Sequence, residues 1–313
     1  MVNTLITIII PTYNRAHFIG ETLDSVLEQT YMNWECIIVD DGSEDNSEDI
    51  INQYLIKDHR FKYYKRPKDI AKGPCSCRNY GFEKSNGELI CWLDSDDLLL
   101  KNALEKRVNC FRDDVDVVIG KADFFDSESK ITLFRNSIES TNLVQDYFIG
   151  KVTFYVSGPL WKKKFLIEQR LSFDEKLSYL DDWDFNLRAL YKKPNIIFLN
   201  EVVFLYRSHS FSLSKQVNFI NIEELKSECM ARNKHYVLFK NSKILNKSIN
   251  RFMLSRYRVI LRDVLLTNKS GSFYFYFNLI KLQFQNRKIS KIVKSTLGFA
   301  IYKVFKKGYI LIK

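Results

Sequence analysis

The apolar positions of this chain alternate between two periods over its first hundred or so residues. Residues 5–10 (LITIII) form a continuous, largely β-branched run that stops at Pro11-Thr12-Tyr13-Asn14, the pattern of a buried strand followed by a loop. Residues 17–30 then carry Phe18, Ile19, Leu23, Val26 and Leu27 at helical spacing. Residues 34–39 read as a second strand that runs into Asp40-Asp41-Gly42-Ser43. Asn46 or Ser47 can cap the helix that holds Ile50, Ile51, Tyr54 and Leu55. Further along, 61–64 predicts a strand, 78–84 a helix, 89–93 a strand, 102–111 a helix and 115–119 a strand. Strands alternating with helices predict an α/β fold with a doubly wound, mostly parallel sheet. Ligands of such sheets bind outside the carboxyl ends of the strands, near the switch in strand order. The polar segments 11–15, 40–43 and 94–97 each follow a strand, so the topology brings them to one edge.

After residue 120 the pattern loosens. Residues 123–156 mix aromatic and polar positions without a clear period, and a second cluster runs from Ser157-Gly-Pro-Leu-Trp161 to Leu180-Asp181-Asp182-Trp183-Asp184. Residues 181–191 have helical spacing, with Trp183, Leu187 and Leu190 on one face, and 202–206 is strand-like. Beyond 215 the chain becomes helical, basic and aromatic over 219–267, turns at 268–272, passes through Phe273-Tyr-Phe-Tyr-Phe277 and ends in a long amphipathic stretch. The expected division is a domain over 1–214, with halves 1–120 and 121–214, and a helical basic region over 215–313.

Charge sharpens that division. Residues 215–313 hold 21 Lys and Arg against 4 Asp and Glu, a net of +17, whereas 1–214 carry a net of −6. An anionic partner is therefore to be sought in the last third. Hydrophobic residues at 46% and charged residues at 27% are an ordinary globular composition that supports a sizeable core. Cys36 and Cys91 lie in apolar strand-like runs, and Cys75-Ser-Cys77 has the wrong spacing for a zinc knuckle. The apolar run at 5–10 is too short for a signal peptide, and no stretch approaches the ~20 apolar residues of a spanning helix. The expected location is cytoplasmic, with any membrane contact peripheral and on the inner face of the cell membrane.

The richest chemistry lies at Asp94-Ser95-Asp96-Asp97, three carboxylates in four residues at the end of a strand. Carboxylates so close repel one another unless a cation or water sits among them. An Asp-x-Asp there can hold a hard divalent ion that in turn holds a diphosphate.

Taken in order, the segments resemble the inverting glycosyltransferases of the GT-A fold, glycosyltransferase family 2. The resemblance is carried by ITIIIPTYNR at 6–15, VLEQT at 26–30, WECIIVDDGSEDNS at 34–47, Arg78-Asn79 with Gly87-Glu88, WLDSDD at 92–97, DDWDFNLRA at 181–189 and YRSHSFSLS at 206–214. It covers residues 1–214; the last hundred residues carry none of its motifs. It implies a nucleotide-sugar donor, most simply a UDP-sugar, a glycan or lipid-linked acceptor, and Mg2+ or Mn2+ as cofactor. By resemblance Asp96 is the direct metal ligand, Asp94 a ribose or outer contact beside Ser95, and His209 a contact of the metal or pyrophosphate. Asp41 resembles the carboxylate that accepts the N3–H of a pyrimidine, as an acceptor-only group can. Pro11, Thr12 and Tyr13 wall that base, with Arg15 beside them, and Arg78 lies near the phosphates. Asp182 is the candidate general base, the second acid of a pair in which Asp181 stands where the family more often has Glu; Asp181 therefore remains a competitor.

The final helix places Ile289, Ile292, Val293, Leu297, Ala300, Ile301, Val304 and Phe305 on one face, edged by lysines. This fits an interfacial helix over 286–313 on anionic lipid, or a stripe docked on the catalytic domain. Three other functions fit the residues less well. A nucleotidyltransferase would need a glycine-rich loop with a following lysine, and 11–15 has no glycine. A non-catalytic sugar-nucleotide binder would have no need of Asp96 and Asp182. The basic tail shows no nucleic-acid motif, so no nucleic-acid partner is expected.

Overall fold

The computed structural model describes residues 3–208, 220–242, 244–267, 269–307 and 311. The chain divides into two compact units, residues 1–210 and 211–313.

The first unit is built on β1 (Ile6–Thr12), whose seven residues are all buried, as a β-branched run in a central parallel strand should be. On one side it pairs with β2 (Trp34–Asp40), which pairs with β3 (Phe61–Lys65); on the other it pairs with β4 (Leu89–Trp92), all parallel. The order continues through β8 (Pro159–Lys162), β6 (Val117–Asp126), β9 (Ile196–Ser208) and β5 (Leu98–Leu99), with β7 (Thr132–Arg135) beside β6. Strands β5, β7 and β8 run against the others, so the sheet is mostly parallel. The order reverses at β1, between β2 and β4. The crevice outside the carboxyl ends of these three strands is where a doubly wound sheet receives its ligand.

One face of the sheet carries α1 (Ile19–Leu27) and α2 (Ser47–Lys57) over Ile6, Ile8, Ile10, Cys36, Ile38 and Cys91. On the other face α3 (Pro74–Lys84) lies against β1 and β2, with Cys77 packed on Ile37 and Val39. Gly81 makes this approach possible: a Cβ there would come within 2.5 Å of Ile9 Cγ2. All six cysteines are free, and Cys75 and Cys77 are buried. Helices α4 (Ala103–Val108), α5 (Leu143–Phe148), α6 (Lys163–Glu168) and α7 (Asp181–Tyr191) complete this unit.

The third helix starts at Pro74, four residues before its periodicity does, because a proline fits the first helical position. The aperiodic stretch 123–156 contains the end of β6, its hairpin into β7, and α5.

The second unit is helical: α8 (Ile222–Asn241), α9 (Lys247–Leu266), α10 (Ser272–Gln285) and α11 (Ile289–Phe305). The stretch 219–267 is thus two helices, separated where Asn246 caps α9 by accepting from the N–H groups of Ser248 and Ile249. Glu228 of α8 is buried and bound by Arg232 (2.7 Å) and by both nitrogens of an Arg256 fork from α9 (2.6 Å each). Burial alone would raise its pKa, but the two guanidinium groups outweigh it and hold the carboxyl at about 2. No described helix is long and apolar enough to cross a membrane.

Candidate active site

Two loops lie side by side beyond β1 and β2. Asn14 takes the left-handed conformation (φ 51°), which asparagine tolerates better than most residues. Its N–H donates to Ser43 Oγ (2.9 Å), and its Oδ1 accepts from Glu44 N–H (2.8 Å). The Asp41 N–H donates to the Thr12 carbonyl (2.9 Å). The two acids here differ in role. Asp40 accepts from Ser43 N–H (3.0 Å), Ser43 Oγ (2.6 Å) and Tyr63 Oη (2.8 Å), which ties it into the turn. Asp41 pairs through Oδ1 with Arg66 Nε. Arg66 also donates to the Ile70 carbonyl, folding the segment after β3 around Asp41. Tyr13 is 39% exposed, and Lys72 Nζ lies 4.1 Å from its ring centroid.

The acidic turn follows β4. Thr22 Oγ1 of α1 donates to the Ser95 carbonyl (3.1 Å) and fixes its path. Asp97 is buried; it accepts from the Arg207 N–H (3.0 Å) and from Ser157 Oγ (3.4 Å). Burial, then the charges of Asp96 and Asp94, push its carboxyl well above the usual range. Arg207, at the end of β9, is the strut of the turn. Its Nε donates to the Asp96 carbonyl (2.7 Å), its Nη2 reaches Glu21 (2.7 Å), and its guanidinium lies between Phe18 and Phe125. Asp96 is left near Arg15, whose Nε is 3.6 Å from Asp96 Oδ2.

Arg78 joins this turn to α7. It is buried on α3, donates through Nη2 to Asp94 Oδ1 (2.7 Å) and pairs through Nη1 with Asp181 Oδ2. Burial raises the pKa of Asp94 and the Arg78 charge opposes the rise. Leu180, left-handed at φ 61°, turns the chain into α7, and Asp181, Asp182 and Asp184 occupy its first turn, where the helix dipole favours negative charge. Asp184 is taken by Arg188 (2.8 Å). Asp182 is partly exposed, and its pKa is pushed up to about 7, by burial first and then by Asp181, with Arg78 opposing. Asp181, against Arg78 and the Cys75 thiol (3.6 Å), is the more enclosed of the two.

Thr12, Arg15 and Arg78 each hold a buried polar atom (Oγ1, Nε and Nε) with no hydrogen-bond partner among the described residues. Such atoms are costly to bury unless something else satisfies them. Among the described residues no group of three His, Cys, Asp or Glu side chains could hold a metal alone. The donors present are hard carboxylate oxygens, with Asp94 already shared with Arg78. This set fits Mg2+ or Mn2+ only where diphosphate and water oxygens complete the coordination, as is usual for Mg2+.

The structure therefore gathers Arg15 with Asp96, and Arg78 with Asp94 and Asp181; Asp182 adjoins the latter group. Asp41 stands beside Thr12. His209 lies outside the described residues. Arg66 and Arg207 belong to this site too; Arg66 lies in none of the sequence motifs, and Arg207 lies within YRSHSFSLS, where sequence reading assigns it no role. Strand pairing gives a signal for Arg66: β3 runs parallel to β2 with Lys65 opposite Asp40, which puts residue 66 beside the next acid. Nothing local marks Arg207 as the partner of a turn 110 residues earlier.

The Glycosyl transferase family 2 model matches residues 7–169, just over half of the chain. The chain belongs to glycosyltransferase family 2. It is 30% identical over 216 residues to the putative glycosyltransferase EpsH of Bacillus subtilis, covering 66% of this chain and 62% of that protein. It is 31% identical over 159 residues to the UDP-Glc:alpha-D-GlcNAc-diphosphoundecaprenol beta-1,3-glucosyltransferase WfgD of Escherichia coli, covering 50% of this chain and 61% of WfgD. The chain thus spans less than two thirds of the length of either relative. Among solved structures, S. aureus TarS 1–349 in complex with UDP-GlcNAc superposes with a TM-score of 0.60 at 18% identity, over 94% of this chain and 91% of that one. The mannosyltransferase PcManGT of Pyrobaculum calidifontis, in complex with GDP-Man and Mn2+, gives 0.57 at 15% identity, over 96% and 87%. These likenesses establish the fold as GT-A, in keeping with the strand order.

Proposed function

We propose that this protein is an inverting glycosyltransferase that moves a sugar from a nucleotide-sugar donor, a UDP-sugar, to a glycan or lipid-linked acceptor in surface-polysaccharide synthesis. The observation that carries this reading is the chain of contacts Asp94–Arg78–Asp181 beside a partly exposed Asp182 whose pKa is about 7. A general base works best with a pKa near the operating pH. In the transfer the acceptor hydroxyl oxygen bonds to the anomeric carbon on the face opposite the leaving group. Its proton passes to Asp182, and the bond from the anomeric carbon to the diphosphate oxygen breaks. Arg15 and Arg78 offer N–H groups to the anionic oxygens, Pro11, Thr12 and Tyr13 wall the base, and Asp41 accepts from its N3–H. Asp94 and Ser95 meet the ribose side, and Asp96, with Asp94 behind it, would hold Mg2+ or Mn2+, with His209 in reserve. A bound divalent ion would neutralise charge on the departing diphosphate.

The uridine nucleotide is supported by the UDP-Glc in the name of WfgD and by the UDP-GlcNAc of the TarS complex, and the lipid-linked acceptor by the diphosphoundecaprenol in the name of WfgD. Such an acceptor places the enzyme in the cytoplasm, against the inner face of the cell membrane. The test is a screen of UDP-, GDP- and dTDP-sugars for nucleoside diphosphate release with Mn2+ or Mg2+. Release from UDP-sugars is expected. Release from GDP-sugars alone would reject the role given to Asp41, and release from no donor with any acceptor would reject the transferase.

A further inference from the structure

Each of the last two helices has two apolar faces, and only one of each pair is covered. In α11 the packed face is Ser295, Gly298, Phe299 and Tyr302. Ile289, Val293, Leu297, Ala300 and Val304 follow one another at intervals of four, four, three and four residues, so they form a single stripe. At 100° per residue that stripe is centred on the side of the helix away from the packed face. All five are exposed, Ile289 to 72% and Val304 to 71%. The α11 stripe is thus an exposed surface of the second unit. In α10 the packed face is Phe275, Leu279, Leu282 and Gln283, whereas Phe273, Phe277 and Phe284 point outward.

The two stripes belong to one surface. Gln283 Nε2 donates to Ser295 Oγ, Tyr276 stacks on Phe299, and Phe273 meets Phe299 and lies under Lys303. As numbers fall along α10 they rise along α11, so the helices are antiparallel. On each helix the free stripe lies roughly a quarter turn beyond the shared contact in the direction of increasing residue number, and for an antiparallel pair that puts both stripes on the same side. Over 272–307 the hairpin has no Asp or Glu, and its eight Lys and Arg (281, 287, 288, 291, 294, 303, 306 and 307) are all exposed.

We propose that the α10–α11 hairpin is a docking surface for an anionic lipid bilayer, with Phe277, Phe284, Val293, Leu297 and Val304 entering the interface and the basic residues meeting lipid phosphates. Charge complementarity decides for this occupant. A second copy of the chain would bring the same eight cations against these eight, with no acid on either hairpin to offset them. Apolar insertion and several cations together give useful, salt-sensitive anchoring where either alone is weak. The proposal deepens the lipid-linked reading of the acceptor, but it rests on the second unit alone and its test does not use transfer.

The experiment compares the full-length protein with the variant Phe277→Ser/Phe284→Ser/Val293→Gln/Leu297→Gln in co-sedimentation with vesicles of phosphatidylcholine containing phosphatidylglycerol, and with phosphatidylcholine alone. Expected are binding to the anionic vesicles only, loss of that binding in high salt, and at least about tenfold weaker binding of the variant at an unchanged melting temperature. A second variant, Lys291→Gln/Lys294→Gln, should also bind more weakly and keeps the test valid if the first variant folds poorly. No binding by the wild type, or equal binding by the folded variants, overturns the proposal. So does a wild-type dimer in sedimentation that the first variant breaks without any vesicle binding, since the occupant is then a second copy. Release of nucleoside diphosphate by a wild type that does not bind vesicles would leave the transferase standing and remove only the membrane.

Discussion

Removing the Arg78 guanidinium tests the centre of the site, and Arg78→Met does so with little change in volume. Arg78 is buried and pairs with two carboxylates, Asp94 at 2.7 Å and Asp181 at closer range. With an effective dielectric of about 20, two opposite charges 4 Å apart attract by about 4 kcal/mol, so two pairs gain about 8 kcal/mol before desolvation. Withdrawing a guanidinium from water costs several kcal/mol, and a broken buried pair nets about 3–5 kcal/mol. That is a large part of the ~5–15 kcal/mol that holds a domain folded. The loss should depend on pH. Arg78 opposes the upward shifts of Asp94 and Asp182, so its removal lets both carboxyls rise further above the unfolded value near 4. A carboxyl with a raised folded pKa binds protons more tightly folded than unfolded, so stability falls as pH rises. The penalty should be smallest near pH 4 to 5, and the share that comes from Asp182 should develop only above about pH 7. Urea unfolding of both proteins at pH 5 and pH 8 measures it. A variant within about 0.5 kcal/mol of wild type at pH 8 would refute the claim that Arg78 joins the acidic turn to α7.

Two further outcomes follow from neighbouring contacts. Asp96→Ala should abolish metal-stimulated transfer and leave the melting temperature unchanged; full activity of this variant in the presence of chelator would remove Asp96 from the reaction. Glu228→Gln should cost the helical unit about 3–5 kcal/mol by removing the buried carboxylate that Arg232 and Arg256 both bind. Because the folded pKa of Glu228, about 2, lies below its unfolded value, the stability it contributes is full above pH ~4.5 and fades as pH falls toward 2. A Glu228→Gln penalty unchanged between pH 7 and pH 3 would contradict this.

The first hundred residues are legible in the sequence because three of the strands there, β1, β2 and β4, are buried along their whole length and end at polar turns. They read as largely apolar runs, and their ends name the site segments directly. β9 is legible only over 202–206 although it spans Ile196–Ser208. Its register against β6 slips after Gly120 and again after Lys121, so Asn200, Glu201 and Val203 fall out of the pairing and the alternation is broken. The same strand delivers Arg207 to the acidic turn, a long-range contact with no local signature. Helical periodicity reveals the α11 stripe but not its fate. An apolar stripe on a helix looks the same whether it is packed or free, and the residues that α11 buries, Ser295 and Gly298 among them, are small or polar.

Asp182 carries the proposed chemistry most directly. Single-turnover transfer to a saturating acceptor should be measured for wild type, Asp182→Asn and Asp181→Asn across pH 5 to 9, with donor affinity measured in parallel. Wild-type transfer should fall as pH drops below about 7, where Asp182 takes up its proton. Asp182→Asn should lose about two to four orders of magnitude in rate, lose that acidic limb, and bind donor as wild type does. Asp181→Asn should act mainly through stability. A near-wild-type rate with Asp182→Asn, or a crippling Asp181→Asn beside a mild Asp182→Asn, would contradict the assignment of the base.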